Sequence, residues 1–120
     1  MTRFLIVPFL MMATAAEAQT RELRQLVRES RGQVGQSIGP GATIEEISLN
    51  GNTFLYKLVF DAAAGANTDA SYVSGFADFM VAGLCQQPPV AGFVASGGQA
   101  YFLIEDPAGT QLTGREITSC

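Results

Sequence analysis

The segment from Ile44 to Phe60 has the sequence IEEISLNGNTFLYKLVF, two strand-like runs joined around Asn50-Gly51. Asn-Gly between two such runs is a strong hairpin signal, because both residues tolerate the positive φ that a type I′ turn requires. We therefore predict two antiparallel strands, Ile44 to Leu49 and Thr53 to Phe60. The second strand places four large side chains on one face, Phe54, Tyr56, Leu58 and Phe60.

A helix is predicted on each side of this hairpin. Thr20 to Arg31 is amphipathic, with apolar residues at spacings of three and four, and Gly32 ends it. The second helix follows Thr68, whose hydroxyl can cap it, and ends at Cys85; a further short helical turn is expected from Val90 to Ala95. Its repeating apolar residues predict a core stripe of Tyr72, Phe76, Phe79, Met80, Gly83 and Leu84.

A second hairpin is predicted from Gln99 to Glu105 and from Gln111 to Ser119, across an Asp-Pro-Ala-Gly turn. The breaker-rich residues from Gln33 to Ala42 are expected to form a loop. The order helix, hairpin, helix, hairpin predicts an α+β domain of two layers, a four-stranded antiparallel sheet with helices on one face. The helical stripe should then pack against Phe54, Tyr56, Leu58, Phe102 and Ile104.

The first residues have the pattern of a secretory signal peptide. Arg3 precedes an uncharged apolar run from Phe4 to Ala15, and Ala16-Glu17-Ala18 offers small residues at the cleavage positions. We predict a signal peptide at 1–18 and a single domain at 19–120, located in the periplasm or secreted. The alternative is a buried N-terminal helix. No cysteine lies directly after the apolar run, so no lipid attachment and no membrane anchor are expected in the mature form.

Two cysteines are present, Cys85 and Cys120. In an oxidising compartment an even number of cysteines is normally paired, so one disulfide is expected. The alternative is a redox or nucleophilic thiol. The sequence disfavours it, since there is no C-x-x-C motif and no histidine to activate a thiolate.

The sequence offers little catalytic chemistry. It has no histidine, which removes the commonest general base and the Ser-His and Cys-His nucleophile systems. Glu45-Glu46 and Glu105-Asp106 are adjacent pairs, but neighbours on a strand point to opposite faces. Neither a phosphate loop nor a calcium loop is present. We therefore predict no catalytic residue, no cofactor and no metal site.

The charges are unevenly distributed. The formal net charge is −4, which speaks against nucleic acid as a partner. Yet Arg21, Arg24, Arg28 and Arg31 fall together on the first predicted helix. Arg24, Arg28 and Arg31 are the candidate partner-binding residues, since a basic helix on an acidic domain can orient an acidic partner. The alternative is a solvated helix face, because Glu22 and Glu29 dilute the charge.

The second half of the chain resembles a group of small exported proteobacterial proteins. The residues that carry the resemblance are Leu84-Cys85, Pro88, Gly98, the strand and turn from Tyr101 to Asp106, Gly109 and Cys120. That group is similar to the quorum-sensing-regulated virulence factor family and, in its plan of helices and sheet, to the small pilotins of type II secretion. The resemblance implies a periplasmic, virulence-associated α+β domain with Cys85 bound to Cys120. It supplies no catalytic residue.

Three classes of function stay open: an interaction or assembly protein, a small-molecule or peptide binder, and an enzyme. We expect an exported, non-enzymatic interaction or assembly protein whose partner is an envelope or secreted protein. The alternatives are a small-molecule or peptide binder and an inhibitor of a secreted hydrolase. The inhibitor is suggested by the run from Ser96 to Tyr101, which resembles the Ser-Gly-x-x-Tyr loop of periplasmic lysozyme inhibitors with the tyrosine one residue late. An enzyme is the third class.

Overall fold

The computed structural model describes residues 18–120, so the predicted signal peptide lies outside the described residues except for Ala18. Residues 18–30 form helix α1, and the turn Arg31–Gln33 follows it. The remaining elements are β1 (Ser37–Gly39), β2 (Ala42–Asn50), β3 (Thr53–Phe60), α2 (Ala70–Cys85), α3 (Pro88–Ala95), β4 (Gln99–Glu105) and β5 (Gln111–Ile117). No helix among the described residues is long and apolar enough to cross a bilayer.

The prediction of a four-stranded antiparallel sheet is wrong in strand number. The sheet has five strands in the order β1-β2-β3-β4-β5. The added strand β1 lies in the segment predicted as a loop, and it pairs Ser37 with Thr43 across a tight turn. Gly41 makes that turn possible: its φ is 69°, and a Cβ there would overlap the backbone of Asp61 and Ala66.

The prediction is also wrong in strand direction, because β3 and β4 are parallel. Their register runs from Thr53 opposite Gln99 to Val59 opposite Glu105. The chain between them contains α2 and α3, and two helices packed on the sheet return the chain to the end where β3 began. A mixed sheet follows, with an antiparallel hairpin on each side of one parallel pair.

The hairpin prediction around Asn50-Gly51 is confirmed. β2 and β3 pair antiparallel with Asn50 opposite Thr53, and Gly51 takes a φ of 59°. The predicted disulfide is confirmed as well, since Cys85 is bonded to Cys120 with a Cα–Cα distance of 5.2 Å. This bond ties the end of α2 to the end of the chain.

The core lies on one face of the sheet, between the strands and the helices. Along β3 and β4 the buried side chains alternate with half-exposed ones, so the opposite face carries no buried residue. The buried strand residues are Ala42, Ile44, Ile47, Phe54, Leu58, Phe60, Ala100, Phe102, Ile104 and Ile117. The helices add Leu23, Val27, Val73, Ala77, Val90, Phe93 and Val94 to the same cluster.

The predicted stripe on α2 is partly wrong. Tyr72 and Phe79 are 47% and 73% exposed, whereas the fully buried residues of α2 are Val73 and Ala77. Phe76, Met80 and Leu84 pack against the core while half-exposed. Small side chains at the contact let the helix lie close to the sheet, and this turns the larger aromatic residues toward its flanks. On the sheet, Phe54, Leu58, Phe102 and Ile104 are buried, as predicted. Tyr56 is only half-buried.

Candidate functional site

An apolar groove lies between α1 and α2, over the strands β2 and β3. Its volume is about 380 Å³, and the start of α3 closes one side. The lining residues are Leu26, Val27, Ser30, Gln33, Ile47, Phe54, Tyr56, Phe79, Met80, Gly83, Leu84, Gln87 and Val90. We call this feature the groove.

The floor of the groove is the core face of the β2–β3 hairpin. Ile47 and Phe54 come from neighbouring strands and are both buried in the core cluster. Tyr56 lies beside them with its ring centroid 5.9 Å from that of Phe102. Burial raises the pKa of the Tyr56 phenol above its ordinary value. The floor is therefore built from side chains that are packed into the core.

The walls come from the two flanking helices. Leu26, Val27 and Ser30 form the α1 wall, at spacings that place them on one side of the helix. On the α2 wall, Phe79 projects with most of its ring in solvent. Phe79 thus presents a large apolar surface at the edge of an apolar groove, which is typical of a binding surface.

The α2 wall has a gap at Gly83, because this residue has no side chain. A Cβ built at this position meets no atom within 4 Å, so the missing side chain leaves free space above the helix backbone. It lies four residues after Phe79, on the same side of α2. A partner can therefore approach the helix backbone closely beside the Phe79 ring.

The groove contains no charged side chain. Its polar groups are the side chains of Ser30, Gln33, Tyr56 and Gln87, and none of them hydrogen-bonds to another part of the described chain. A few free polar groups in an apolar pocket are what fixes the orientation of a bound molecule. The groove is therefore suited to an uncharged, mainly apolar occupant.

The predicted partner-binding arginines lie outside the groove. At 100° per residue, Arg24 and Arg28 lie roughly 160° around α1 from the groove-lining residue Leu26, and roughly 120° and 160° from Ser30. Arg24, Arg28 and Arg31 are exposed, and within residues 18–120 they form no ion pair. They therefore form a surface separate from the groove.

Lys57 and Arg115, the two described basic residues outside α1 and its final turn, are both in ion pairs. On the open face of the sheet, the Nζ of Lys57 lies 3.9 Å from Glu46 and 3.6 Å from Glu105. Between α2 and β5, Arg115 donates to Asp78 at 3.1 Å and to the Ser74 hydroxyl at 2.8 Å. Both side chains hold neighbouring elements together.

Two glutamates converge on the open face of the sheet. Glu46 and Glu105 converge, but on Lys57, and Glu46 also accepts from the Ser48 hydroxyl at 2.6 Å. Across residues 18–120, no three His, Cys, Asp or Glu side chains are grouped so as to hold a metal ion. The two glutamates that lie near each other are therefore in ion pairs with Lys57.

The run from Ser96 to Tyr101 resembles an inhibitor loop in sequence. In the structure it joins the end of α3 to β4. The Ser96 hydroxyl donates to the carbonyl of Gly92 at 2.5 Å and so ends α3. A Cβ on Gly98 would overlap the ring of Phe93, which shows how tightly the turn is packed. Tyr101 lies within β4. The run does not present its serine and tyrosine together at a loop tip.

The groove residues were not predicted as a site. Phe79 was assigned to the core because a large apolar residue at helical spacing is typical of one. The one signal in the sequence is that Gly83 follows Phe79 by a helical turn, which leaves a large ring beside a residue without a side chain. That signal is weak without knowing which face of α2 meets the sheet.

Comparison with known proteins reveals similar folds. No protein-family model matches the sequence, and no curated protein matches it. Among solved structures, the pilotin EpsS of the Vibrio vulnificus type 2 secretion system is similar, with a TM-score of 0.65 and 14% identity over 89% of this chain and 94% of that one.

Two further structures share the fold. The type II secretion system pilotin AspS from Vibrio cholerae has a TM-score of 0.61 and 14% identity, over 89% of this chain and 94% of that one. A Pseudomonas aeruginosa protein described as a candidate secreted protein has a TM-score of 0.64 and 12% identity, over 86% and 91%. The pilotin-like plan predicted from the sequence is confirmed, whereas the quorum-sensing part of the resemblance stays a prediction.

Proposed function

We propose that this protein is a non-enzymatic accessory protein of secretion that binds an apolar helical segment of an envelope protein in the groove. The observation that carries the proposal is the exposed Phe79 ring beside Gly83, on the wall of a groove that contains no charged residue. Exported to the periplasm or secreted, the protein would meet such a partner outside the cytoplasm.

A helix suits the groove because the groove is a gap in the layer of helices. α1 and α2 stand on either side of the groove floor, so an added helix would lie between them and contact both. Amphipathic helices commonly dock into grooves of this kind through apolar residues three and four positions apart. Close approach at Gly83 would let the two helix backbones pack tightly.

The energy of such binding would come mainly from apolar burial. Covering a phenylalanine completely contributes about 1.5–3 kcal/mol, and Phe79 has most of this area still to bury. The free hydroxyls and amides of Ser30, Tyr56 and Gln87 would fix the register of the helix. No charged group in the groove would need to lose its hydration.

The similar structures support a role in secretion. Two of them are pilotins of type II secretion systems, and the likeness extends over nearly the whole described domain. A partner that belongs to the envelope also agrees with the predicted signal peptide. We infer a role in interaction or assembly, without chemistry of its own.

A small apolar molecule is the second candidate occupant. The groove volume of about 380 Å³ falls in the range of small-molecule sites, roughly 300–1,000 Å³. The polar groups at its edge could orient such a ligand equally well. The two candidates differ in what a crosslinker in the groove would capture.

Site-specific photocrosslinking in the native cells tests the proposal. A photoreactive phenylalanine at position 79 should capture one defined protein of the envelope. The same residue in place of Glu45, an exposed side chain on β2, should not capture it. Capture of a small molecule at position 79 in place of a protein would favour the second candidate and contradict the first.

A matched pair of glycine variants provides the control. Gly83→Trp fills the groove and should abolish the crosslink at position 79. Gly75→Trp also adds a ring to an open position on α2, but outside the groove, and should leave the crosslink intact. Both variants should fold, since neither Cβ meets an atom within 4 Å. Equal crosslinking in the two variants would refute groove binding.

A further inference from the structure

A second surface of the molecule is formed by four arginines, Arg21, Arg24, Arg28 and Arg31, which we call the basic row. Their spacings of three, four and three place them along one side of α1 and its final turn, over roughly 15 Å. All four are exposed. The two glutamates of α1 lie on another flank, where Glu29 accepts a hydrogen bond from Gln25 at 3.3 Å.

The basic row holds the uncompensated positive charge of the described chain. Lys57 and Arg115 are in ion pairs, whereas no arginine of the row forms one within residues 18–120. Of the ten acidic side chains of residues 18–120, the eight other than Glu22 and Glu29 lie outside α1. The molecule is therefore acidic as a whole, with a strongly basic edge.

Two exposed aliphatic side chains follow the basic row within seven residues of the sequence. Val34 and Ile38 are 41% and 39% exposed, and the Val34 amide donates to the carbonyl of Arg31 at 3.2 Å. Ile38 lies on β1, the edge strand of the sheet. A cluster of four or more arginines or lysines on an amphipathic helix is typical of surfaces that bind anionic lipid headgroups. A purely acidic protein partner would leave the aliphatic pair without a contact.

We propose that the basic row, with Val34 and Ile38, binds the surface of a bilayer that contains anionic phospholipids. Arginines are suited to phosphate groups, because each guanidinium presents several donors in a fixed plane. The two aliphatic side chains enter the headgroup region beside them. Arg24 and Arg28 lie on a different side of α1 from the groove residues Leu26 and Ser30, so the protein can lie on a membrane while the groove holds a partner.

Vesicle flotation tests this inference. The protein, expressed from the full-length chain and purified from cells, should float with vesicles of phosphatidylglycerol and phosphatidylcholine. It should not float with phosphatidylcholine alone. Binding should be lost at about 1 M salt, where the Debye length falls to roughly 3 Å. Equal flotation with both vesicle types would overturn the proposal, since it would show binding through apolar segments alone.

Variants of the surface make the test specific. Replacing Arg24, Arg28 and Arg31 together by glutamine should weaken flotation about 100-fold, because each arginine near an anionic surface contributes roughly fivefold. Val34→Ser with Ile38→Ser should weaken it several-fold and leave the salt dependence in place. Unchanged thermal melting would show that both variants remain folded. Wild-type binding by the arginine variant would contradict the proposal.

Two further measurements separate this surface from other possibilities. Gly83→Trp should float like the wild type, so a failure of groove binding and a failure of membrane binding are distinguishable. Soluble poly-glutamate serves as a probe for an acidic protein partner. If it binds the basic row while the anionic vesicles do not, the row recognises acidic protein and the membrane proposal is wrong.

Discussion

Asp69 illustrates how one residue sets a local pH dependence. It precedes α2, and its carboxylate accepts a hydrogen bond from the Ser71 hydroxyl at 2.7 Å. The Ser71 hydroxyl, together with backbone N–H groups of the first turn, lowers the pKa of Asp69 below its ordinary value. The ionised form is therefore favoured in the folded state.

We predict that Ser71→Ala lowers the melting temperature at neutral pH and has little effect in acid. A lowered folded-state pKa contributes stability above the unfolded pKa of about 3.9, and that contribution is lost as the pH falls through the folded value. Melting curves of both proteins at neutral pH and below about pH 3 give the comparison. A difference that stays constant with pH would show that the hydroxyl acts independently of the charge.

The type of residue was enough to predict some of the candidate sites but not others, because an apolar side chain can serve in more than one role. The cysteine pair and the arginines could be assigned because their chemistry differs from that of a core residue. Phe79 could not, since the same apolar ring serves in a core and in a binding groove. Only the rotation of α2 on the sheet, fixed by Val73 and Ala77, separates the two roles.

At the scale of the helix, exposure predicts which phenylalanine stabilises the fold. Phe79→Ala on α2 should change the free energy of unfolding by less than about 0.5 kcal/mol, as surface substitutions do. Phe93→Ala on α3, where the ring is 1% exposed, should cost about 3–5 kcal/mol. Urea unfolding of the two variants measures both values. A large loss for Phe79→Ala would place that ring in the core.

Local sequence signals predicted the elements better than their arrangement. The Asn50-Gly51 turn and the breaks around α3 depend on neighbouring residues, so their positions could be found from the sequence. The parallel pairing of β3 with β4 depends on where α2 and α3 pack. β1 has only three residues, too few for a periodic pattern. The groove depends on the gap between two helices, which no local pattern encodes.

At the scale of the whole molecule, the disulfide closes the chain from the end of α2 to its last residue. Cys85 and Cys120 are 35 residues apart, and the loop between them contains α3, β4 and β5. By the chain-entropy relation, removing the bond with Cys85→Ser and Cys120→Ser should cost about 4 kcal/mol. Denaturant unfolding of the double variant measures this. A loss under about 1 kcal/mol would mean that the unfolded state is little constrained by the bond.

The helical state of residues 18–20 has a consequence for the order of events during export. The predicted cleavage bond joins Ala18 to Gln19, both inside α1, and the Gln19 side chain lies so close to Gly92 on α3 that no Cβ would fit between them. A peptidase needs this bond in an open, unwound chain, and a docked helix exposes it only through local unfolding. If the predicted signal peptide is cleaved at this bond, cleavage must precede the docking of α1. Under that prediction, a chain whose α1 docked on α3 first would keep residues 1–18, and the intact mass of the exported protein would reveal them.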